Sequence, residues 1–369
     1  MTVPASYDVA GIAREFRITG EILAASPYGC GHINDTFAIV MCGLQGERRY
    51  VLQRINHNVF KRPNELMENV ERVCAHTRRR LDDTGATDAH RRALRLIPTL
   101  KEKTWHVDKA GNHWRCYDFI ENATGHDVVR VPDQAYQAAR AFGCFQSLLA
   151  DLPGPRLHET IPDFHNTPRR YQSFLNALSK DAHNRAQSAQ TEIAFALARE
   201  ADIDLVMVAL RKGELPERVT HNDTKLNNVL LDDVTQEGLC VIDLDTVMPG
   251  SALYDFGDLV RTSTSPMAED ETDLSQVHMQ FPMFEALVRG YLSAASGFLT
   301  KREKSLLPFA GKLITLEIGL RFLTDWLEGD IYFKIKRPTH NLDRLRTQFK
   351  LVASIEQQMS RMQECVDQQ

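Results

Sequence analysis

Four residues in one stretch, Asp223, Lys225, Asn228 and Asp243, combine the side-chain types that phosphoryl transfer requires. They lie in H-N-D-T-K-L-N-N-V-L-L-D, which is followed by a polar turn and C-V-I-D. The reaction needs a carboxylate to orient and deprotonate an attacking hydroxyl, a cation on the γ-phosphate, and oxygen ligands for Mg²⁺. In chain order, Asp223 supplies the base, Lys225 the cation, and Asn228 and Asp243 the metal ligands. Singly, each has a plainer reading. N-D-T is ordinary turn chemistry, a lysine is usually a solvated charge, and an asparagine or aspartate often ends a strand. The conjunction favours chemistry: an acid, a lysine two places on, an asparagine five places on and a second acid after an apolar strand.

Two neighbouring acid pairs compete for attention. Asp245, two places beyond Asp243, reads either as a second metal contact or as a structural acceptor. The segment Y-D-F-G-D-L contains the letters D-F-G, which mark the metal aspartate in protein kinases. Here it comes too late, because Asp243 already stands at the right distance from Asn228. Asp255 and Asp258 are therefore expected to bond backbone or the catalytic loop from the start of a helix.

The elements that must position these residues fall into two groups. Short apolar strands are expected over 22–25, 36–41 and 50–55, the first two joined by the glycine-bearing turn Y-G-C-G-H-I-N. A helix carrying L-M-E-N-V-E-R-V-C follows, with Leu66, Val70 and Val73 at helical spacing and Glu71 beside the stripe. Strands over 104–107 and 114–120 flank the hairpin turn D-K-A-G-N. After Pro132 the period changes. Asp133 reads as an N-cap, and Ala138, Phe142, Phe145 and Leu149 repeat on one helical face. Short strands at R-V-T-H, 229–231 and 239–244 carry the chemistry on their loops. Helices then dominate, with 306–327 and 342–362 reading as amphipathic, charged on the face away from the apolar stripe. The fold class implied is α+β and bilobal. A small β-rich N-terminal lobe (1–121) and a hinge (122–132) precede a larger, mainly helical C-terminal lobe (133–369).

The whole chain sets limits. Its 369 residues exceed one ordinary core. Apolar residues make up 43% and charged residues 25%, with net charge -5, so nucleic acid and anionic membranes are not expected partners. The seven cysteines are scattered, without a C-x-x-C pair, which argues against a disulfide framework or zinc site. No signal peptide or membrane span is evident, and a cytoplasmic location is expected.

The motifs H-N-D-T-K-L-N-N and V-I-D-L-D-T resemble those of the aminoglycoside phosphotransferase and choline kinase superfamily, protein-kinase-like enzymes that phosphorylate small molecules. Within it, P-Y-G-C-G-H-I-N-D-T-F, I-D-L-D-T-V-M-P-G-S and L-R-F-L-T-D-W-L-E-G-D-I-Y-F resemble the N-acetylhexosamine kinases, over most of the chain. The resemblance implies a protein-kinase-like fold and transfer from ATP, with Mg²⁺, to the anomeric oxygen of N-acetylglucosamine or N-acetylgalactosamine. It also implies that Asp223 is the base, that Asn228 and Asp243 hold the metal, and that Arg321 faces the sugar; His32 and Asn34 read either as facing sugar or phosphate or as structural hairpin residues. Arg321 has an equal alternative as the i+4 partner of Asp325.

Gly29 and Gly31 are expected over the ATP phosphates, and Gln53, Glu71, Tyr117 and Phe119 complete the nucleotide-binding set. One departure stands out. Where protein kinases carry a third-strand lysine paired to a helix glutamate, Y-V-L-Q-R-I-N has Gln53. Either Arg54 or metal ions must then supply the charge, although strand alternation turns Arg54 to the other face. The other readings left open are a different acceptor (another sugar, an aminoglycoside, choline or homoserine) and a non-catalytic kinase-like binding module. Asp325, Trp326, Glu328 and Asp330 would permit a cationic pocket.

Overall fold

The computed structural model describes residues 7–29, 33–44 and 46–369. After helix α1 (Val9–Ala13) come strands β1 (Glu21–Pro27), β2 (Asp35–Gly43) and β3 (Gly46–Ile55). Helices α2 (Pro63–Asp83) and α3 (Ala89–Arg92) and strands β4 (Trp105–Val107) and β5 (His113–Asp118) complete the first lobe. The strands form one antiparallel sheet in the order β1-β2-β3-β5-β4. Alternation gives it two different faces. Ile39, Met41, Tyr50, Leu52, Trp114 and Cys116 pack with Ile12, Ala13 and Phe16 on one side. Val51, Ile55 and Tyr117 face α2 on the other.

Helix α2 forms where its apolar stripe was expected. Leu66, Val70 and Val73 are fully buried, each contributing about 1.5–3 kcal/mol of transfer free energy. Glu71 is the outward neighbour of that stripe and is exposed. The same buried face carries Asn69, whose amide donates to the carbonyls of His158 (2.8 Å) and Val247 (3.1 Å) and so ties α2 to the second lobe.

The expected hinge is not free of pairing. Strand β6 (Ala123–Gly125) lies inside 122–132 and joins β8 (Val229–Asp232) of the second lobe, with β9 (Gly238–Val241) beyond it. A shorter pair is made by β7 (Arg218–Thr220) and β10 (Met248–Gly250). The rest is helical: α4 (Pro132–Leu149), α5 (Thr167–Lys180), α6 (Gln190–Leu197), α7 (Leu205–Arg211), α8 (Ala252–Ser263), α9 (Phe281–Ala295), α10 (Lys301–Ser305), α11 (Leu307–Leu327) and α12 (His340–Asp367). The cap of α4 is Val131, in extended conformation, and Asp133 falls in the first turn, because Pro132 occupies the first helical position.

Helix α11 departs from expectation more. It is not amphipathic: buried residues surround it on every side, including Glu317 and Asp325. It is the central helix of the lobe, so its few charges have to find partners inside the protein. The glycine of Y-D-F-G-D has a packing reason there. A Cβ at Gly257 of α8 would come within 2.5 Å of the Ala310 carbonyl oxygen of α11. Among the described residues, no helix is long and apolar enough to cross a membrane.

Candidate active site

The loop after β7 is held by its backbone. Asn222 takes the left-handed conformation (φ 65°), and its amide donates to the carbonyls of Thr220 (3.2 Å) and Thr246 (2.9 Å). Asp255, in the first turn of α8, accepts from the N–H groups of His221 (2.9 Å) and Asn222 (2.7 Å), and from Gln146 (2.5 Å). Asp258 accepts from the Thr224 N–H (2.9 Å) and from Arg261 (2.8 Å). The acids of Y-D-F-G-D thus bond the loop backbone, as expected. His221 adds a cross-tie. Its Nε2 donates to the Ile242 carbonyl (2.9 Å) and its Nδ1 accepts from the Asp223 N–H (3.3 Å), an arrangement that fixes the Nε2–H tautomer.

On this scaffold Asp223 projects a half-buried carboxylate. Asn228 Nδ2 donates to it (3.0 Å) and to the Asp223 carbonyl (2.8 Å), and Lys225 Nζ lies 3.0 Å from the same carboxylate oxygen. Burial works against the Lys225 ammonium, but the attraction of Asp223 outweighs it and raises the lysine above its usual value. The residues expected as base, cation and one metal ligand are therefore adjacent in space. Because Nδ2 of Asn228 is turned to Asp223, its amide oxygen is the atom left for other partners.

Asp243 stands just past β9 with φ 60° and ψ 59°. The strand expected over 239–244 stops at Val241, and the left-handed turn sends the chain back under the first lobe. Asp243 keeps an open edge, yet protein crowds its carboxylate. This loss of solvent, ahead of repulsion from Asp245 and Asp223, raises it to about 6. Acids held this close together fit a divalent cation. Among the described residues no cluster of three or more His, Cys, Asp or Glu could hold a metal alone. Mg²⁺ commonly takes one or two protein oxygens and completes its shell with phosphate and water. Asp243 and the free oxygen of Asn228 match that pattern.

The first lobe closes the site from above in an unexpected way. Gln53 lies on the cleft face of β3, between Thr36 of β2 and Arg115 of β5 in register. Its Nε2 donates to Thr36 Oγ1 (3.0 Å), and its Oε1 accepts from Arg115 (3.0 and 3.1 Å). Arg115 is fully buried and ion-pairs with Asp245. Asp245 also accepts from Asn34 Nδ2 (2.5 Å), while Asn34 Oδ1 accepts from the Asn56 N–H (3.0 Å). The amides of Asn34 and Gln53 are thus engaged within the protein. Arg54 is on the other face, paired with Asp35 at 2.6 Å.

Glu71, expected in the nucleotide set, is turned to the outer side of α2 by the 100° helical step, where its carboxylate accepts from Thr104 at 3.5 Å. Tyr117 shares the cleft face with Arg115, whose guanidinium lies 5.3 Å from its ring. Phe119 meets Tyr28 edge-on at 5.4 Å, next to Gly29, which has φ 78°. Gly31 and His32 lie outside the described residues.

Below the loop, His165 donates Nε2–H to the Asn222 carbonyl (3.2 Å) and Nδ1–H to Glu317 (2.9 Å). Both ring nitrogens face acceptors, so the ring is an imidazolium. Burial would discharge it, but Glu317 outweighs burial and raises it; Glu317, likewise opposed by burial, is lowered by His165 and by a 2.6 Å bond from Thr167. One turn beyond Glu317 on α11 lies Arg321, 5.7 Å from the Tyr332 ring and 5.4 Å from that of Phe333. It does not pair with Asp325, which accepts instead from the N–H groups of Tyr332 (2.7 Å) and Phe333 (2.9 Å) and from Asn341 (2.8 Å). Arg170 of α5 stands close by. Burial, and then the Arg321 cation, lower its pKa, and its Nε is buried without a hydrogen-bond partner among the described residues.

Sequence reading missed Arg115, Asn69, the His165–Glu317 pair and Arg170. For Arg115 a signal existed: a lone arginine inside the apolar run W-R-C-Y must meet a partner. The others depend on elements far apart in the chain.

One family model matches the chain, and a number of solved structures share its fold. The model, described as the phosphotransferase enzyme family APH, matches residues 25–287. A microcompartment-associated aminopropanol kinase superposes with TM-score 0.64 at 17% identity, over 96% of this chain and 98% of that one. An aminoglycoside phosphotransferase from Alicyclobacillus acidocaldarius gives 0.62 at 14% identity, over 100% and 98%. Spectinomycin phosphotransferase, solved with ADP and spectinomycin, gives 0.54 at 14% identity, over 92% and 94%.

Proposed function

Because the chain belongs to the phosphotransferase enzyme family, we propose that it transfers the γ-phosphoryl group of ATP to the C1 hydroxyl of an N-acetylhexosamine, giving the sugar 1-phosphate and ADP. The observation that carries the phosphotransfer reading is the Asp223 carboxylate, held by Asn228 and Lys225, beside Asp243. Asp223 accepts the C1 hydroxyl proton as that oxygen bonds to the γ-phosphorus and the bond to the leaving ADP oxygen breaks. Lys225 offsets charge on the transferred group. Asp243 and Asn228 would hold Mg²⁺, which neutralises charge on the phosphates.

Charge supports the acyl-sugar acceptor. Arg321 and Arg170 give the region below the loop two cations, one with an unused donor, suited to an amide carbonyl or sugar hydroxyls. An aminated acceptor, as the names of the structural neighbours suggest, calls for free carboxylates. Three of the acids there are occupied: Glu317 by His165, Asp325 by backbone N–H groups and Asp330 by Arg185, while Glu328 is exposed.

The test is an ATP-coupled assay with Mg²⁺ across N-acetylhexosamines, plain hexoses, aminoglycosides and amino alcohols, with ³¹P NMR of the product. An acid-labile anomeric phosphate from an N-acetylhexosamine is expected. Turnover confined to amines would overturn the acceptor and keep the phosphotransfer. The absence of ADP formation across the panel would favour a binding module.

A further inference from the structure

Phosphotransferases of the protein-kinase type join their lobes, and charge the nucleotide side of the cleft, through a third-strand lysine and a helix glutamate. In this chain neither member is present in that role. Gln53 occupies the strand position, and Glu71 is exposed on the outer side of α2. The inner side of α2 presents a neutral amide, Asn69, which bonds the Val247 carbonyl.

A different buried cation faces the cleft. Arg115 lies beside Gln53 in the sheet register, is 0% exposed, and reaches out of the first lobe to Asp245 of the second. It is held from both ends. Thr36 accepts from Gln53, Gln53 accepts from two Arg115 nitrogens, and Asp245 accepts from both Arg115 and Asn34. One carboxylate of the second lobe thus collects donors from the start of β2 and from β5. It stands two residues after Asp243, across the turn where Asp243 has φ 60°. Moving Asp245 must move that turn, because the Thr160 hydroxyl (2.8 Å to the Asp245 carbonyl) and the Asn222 amide (2.9 Å to the Thr246 carbonyl) clamp the backbone on its other side. Arg54 cannot do this work. It faces away from the cleft and is paired with Asp35.

We infer that Arg115 is the positioning cation that replaces the third-strand lysine, and that its pair with Asp245 tethers the lobes and sets the place of Asp243 for nucleotide. Arginine suits the task better than lysine. Its planar fork can bond Gln53 and Asp245 at once, whereas an ammonium offers a point charge. The cation has moved one strand across the sheet, and its partner has moved from α2 to the turn that follows Asp243.

The inference rests on the phosphotransfer reading, and calorimetry with the non-hydrolysable ATP analogue AMPPNP and Mg²⁺ tests the two separately. Arg115→Met and the isosteric Asp245→Asn are each expected to weaken binding about 10- to 100-fold, the range for groups that orient a metal ligand. Acceptor KM should change little. The double variant should be no worse than the poorer single one, since both remove one interaction. Arg115→Lys should recover part of the affinity, and so should Gln53→Lys placed on Arg115→Met, which returns the cation to the third strand. Unchanged AMPPNP affinity in a folded Asp245→Asn or Arg115→Met protein alongside a lowered Tm would overturn the inference, as would full additivity. If the wild-type protein binds no Mg²⁺-AMPPNP, the phosphotransfer reading falls and the inference falls with it.

Discussion

Two acid pairs lie twelve residues apart and read almost alike, yet the fold engages both acids of one pair and leaves one acid of the other open. In Y-D-F-G-D, Asp255 and Asp258 are buried in the first two turns of α8 and filled with donors: loop N–H groups, Gln146 and Arg261. In V-I-D-L-D, Asp245 is filled in the same way by Arg115 and Asn34, and Asp243 is left open. Asp223 stands with Asp243, since its carboxylate has an exposed side and, among the described residues, takes polar contacts from Asn228 and Lys225 alone. A carboxylate that reacts or binds must keep lone pairs unspent, whereas one that holds a loop spends them all on the protein. Acid type and local motif do not distinguish the two. Bond accounting does.

The comparison predicts a division between activity and stability. The largest effect is expected for Asp223→Asn, which should lower kcat by about 10²- to 10⁴-fold, the usual worth of a general base, with little change in Tm. Asp243→Asn should lower activity by about 10²-fold and weaken Mg²⁺ dependence first, again in a stable fold. Steady-state kinetics with a Mg²⁺ titration checks both, and near-normal turnover in either variant would place it with the structural acids. Asp255→Asn should behave in the opposite way. Replacing one buried carboxylate oxygen with an amide NH2 sets a donor against a backbone N–H and should cost about 1–3 kcal/mol in urea unfolding, because that N–H loses its partner.

A smaller effect concerns pH. His165, ordinarily near 6.5, is raised in the fold, so its stabilisation is complete below that value and is lost as pH rises through the raised one. Glu317, ordinarily 4.5, is lowered, so its contribution is present above that value and is lost as pH falls through the lowered one. The pair therefore works best between the two ordinary values and fades in alkali. Thermal melts of the wild type should decline from neutral into alkaline pH, and His165→Asn should flatten that limb. An equal alkaline slope in both would remove the imidazolium from the account. The smallest effect is expected for Glu71→Ala, within about 0.5 kcal/mol in stability as an exposed helical position, with kcat near wild type. A large loss of nucleotide affinity there would restore a helix glutamate to the site.

Much of the framework was legible because it is local. The stripe of α2, the β1–β2 and β4–β5 hairpins and the order Asp223, Lys225, Asn228, Asp243 follow from short-range period and spacing. The failures have a common cause. Helix α11 looked one-sided, but layers from both directions bury it, and its acids Glu317 and Asp325 took partners that pattern cannot foresee. The strand toward Asp243 looked longer than it is, because a left-handed turn at an aspartate leaves no period behind.

What the sequence determined by itself was the family and the grouping of the candidate residues: loop spacing is a property of neighbours in the chain, and a carboxylate, a lysine and an asparagine within six residues need only one loop to meet. What the tertiary structure decided was which acids stay free and which cation faces the cleft. Gln53 and Arg115 are separated by 62 residues, and Arg115 and Asp245 by 130. A buried charge needs a partner but does not say from which strand it comes. Only the sheet register and the approach of the two lobes bring that partner to it.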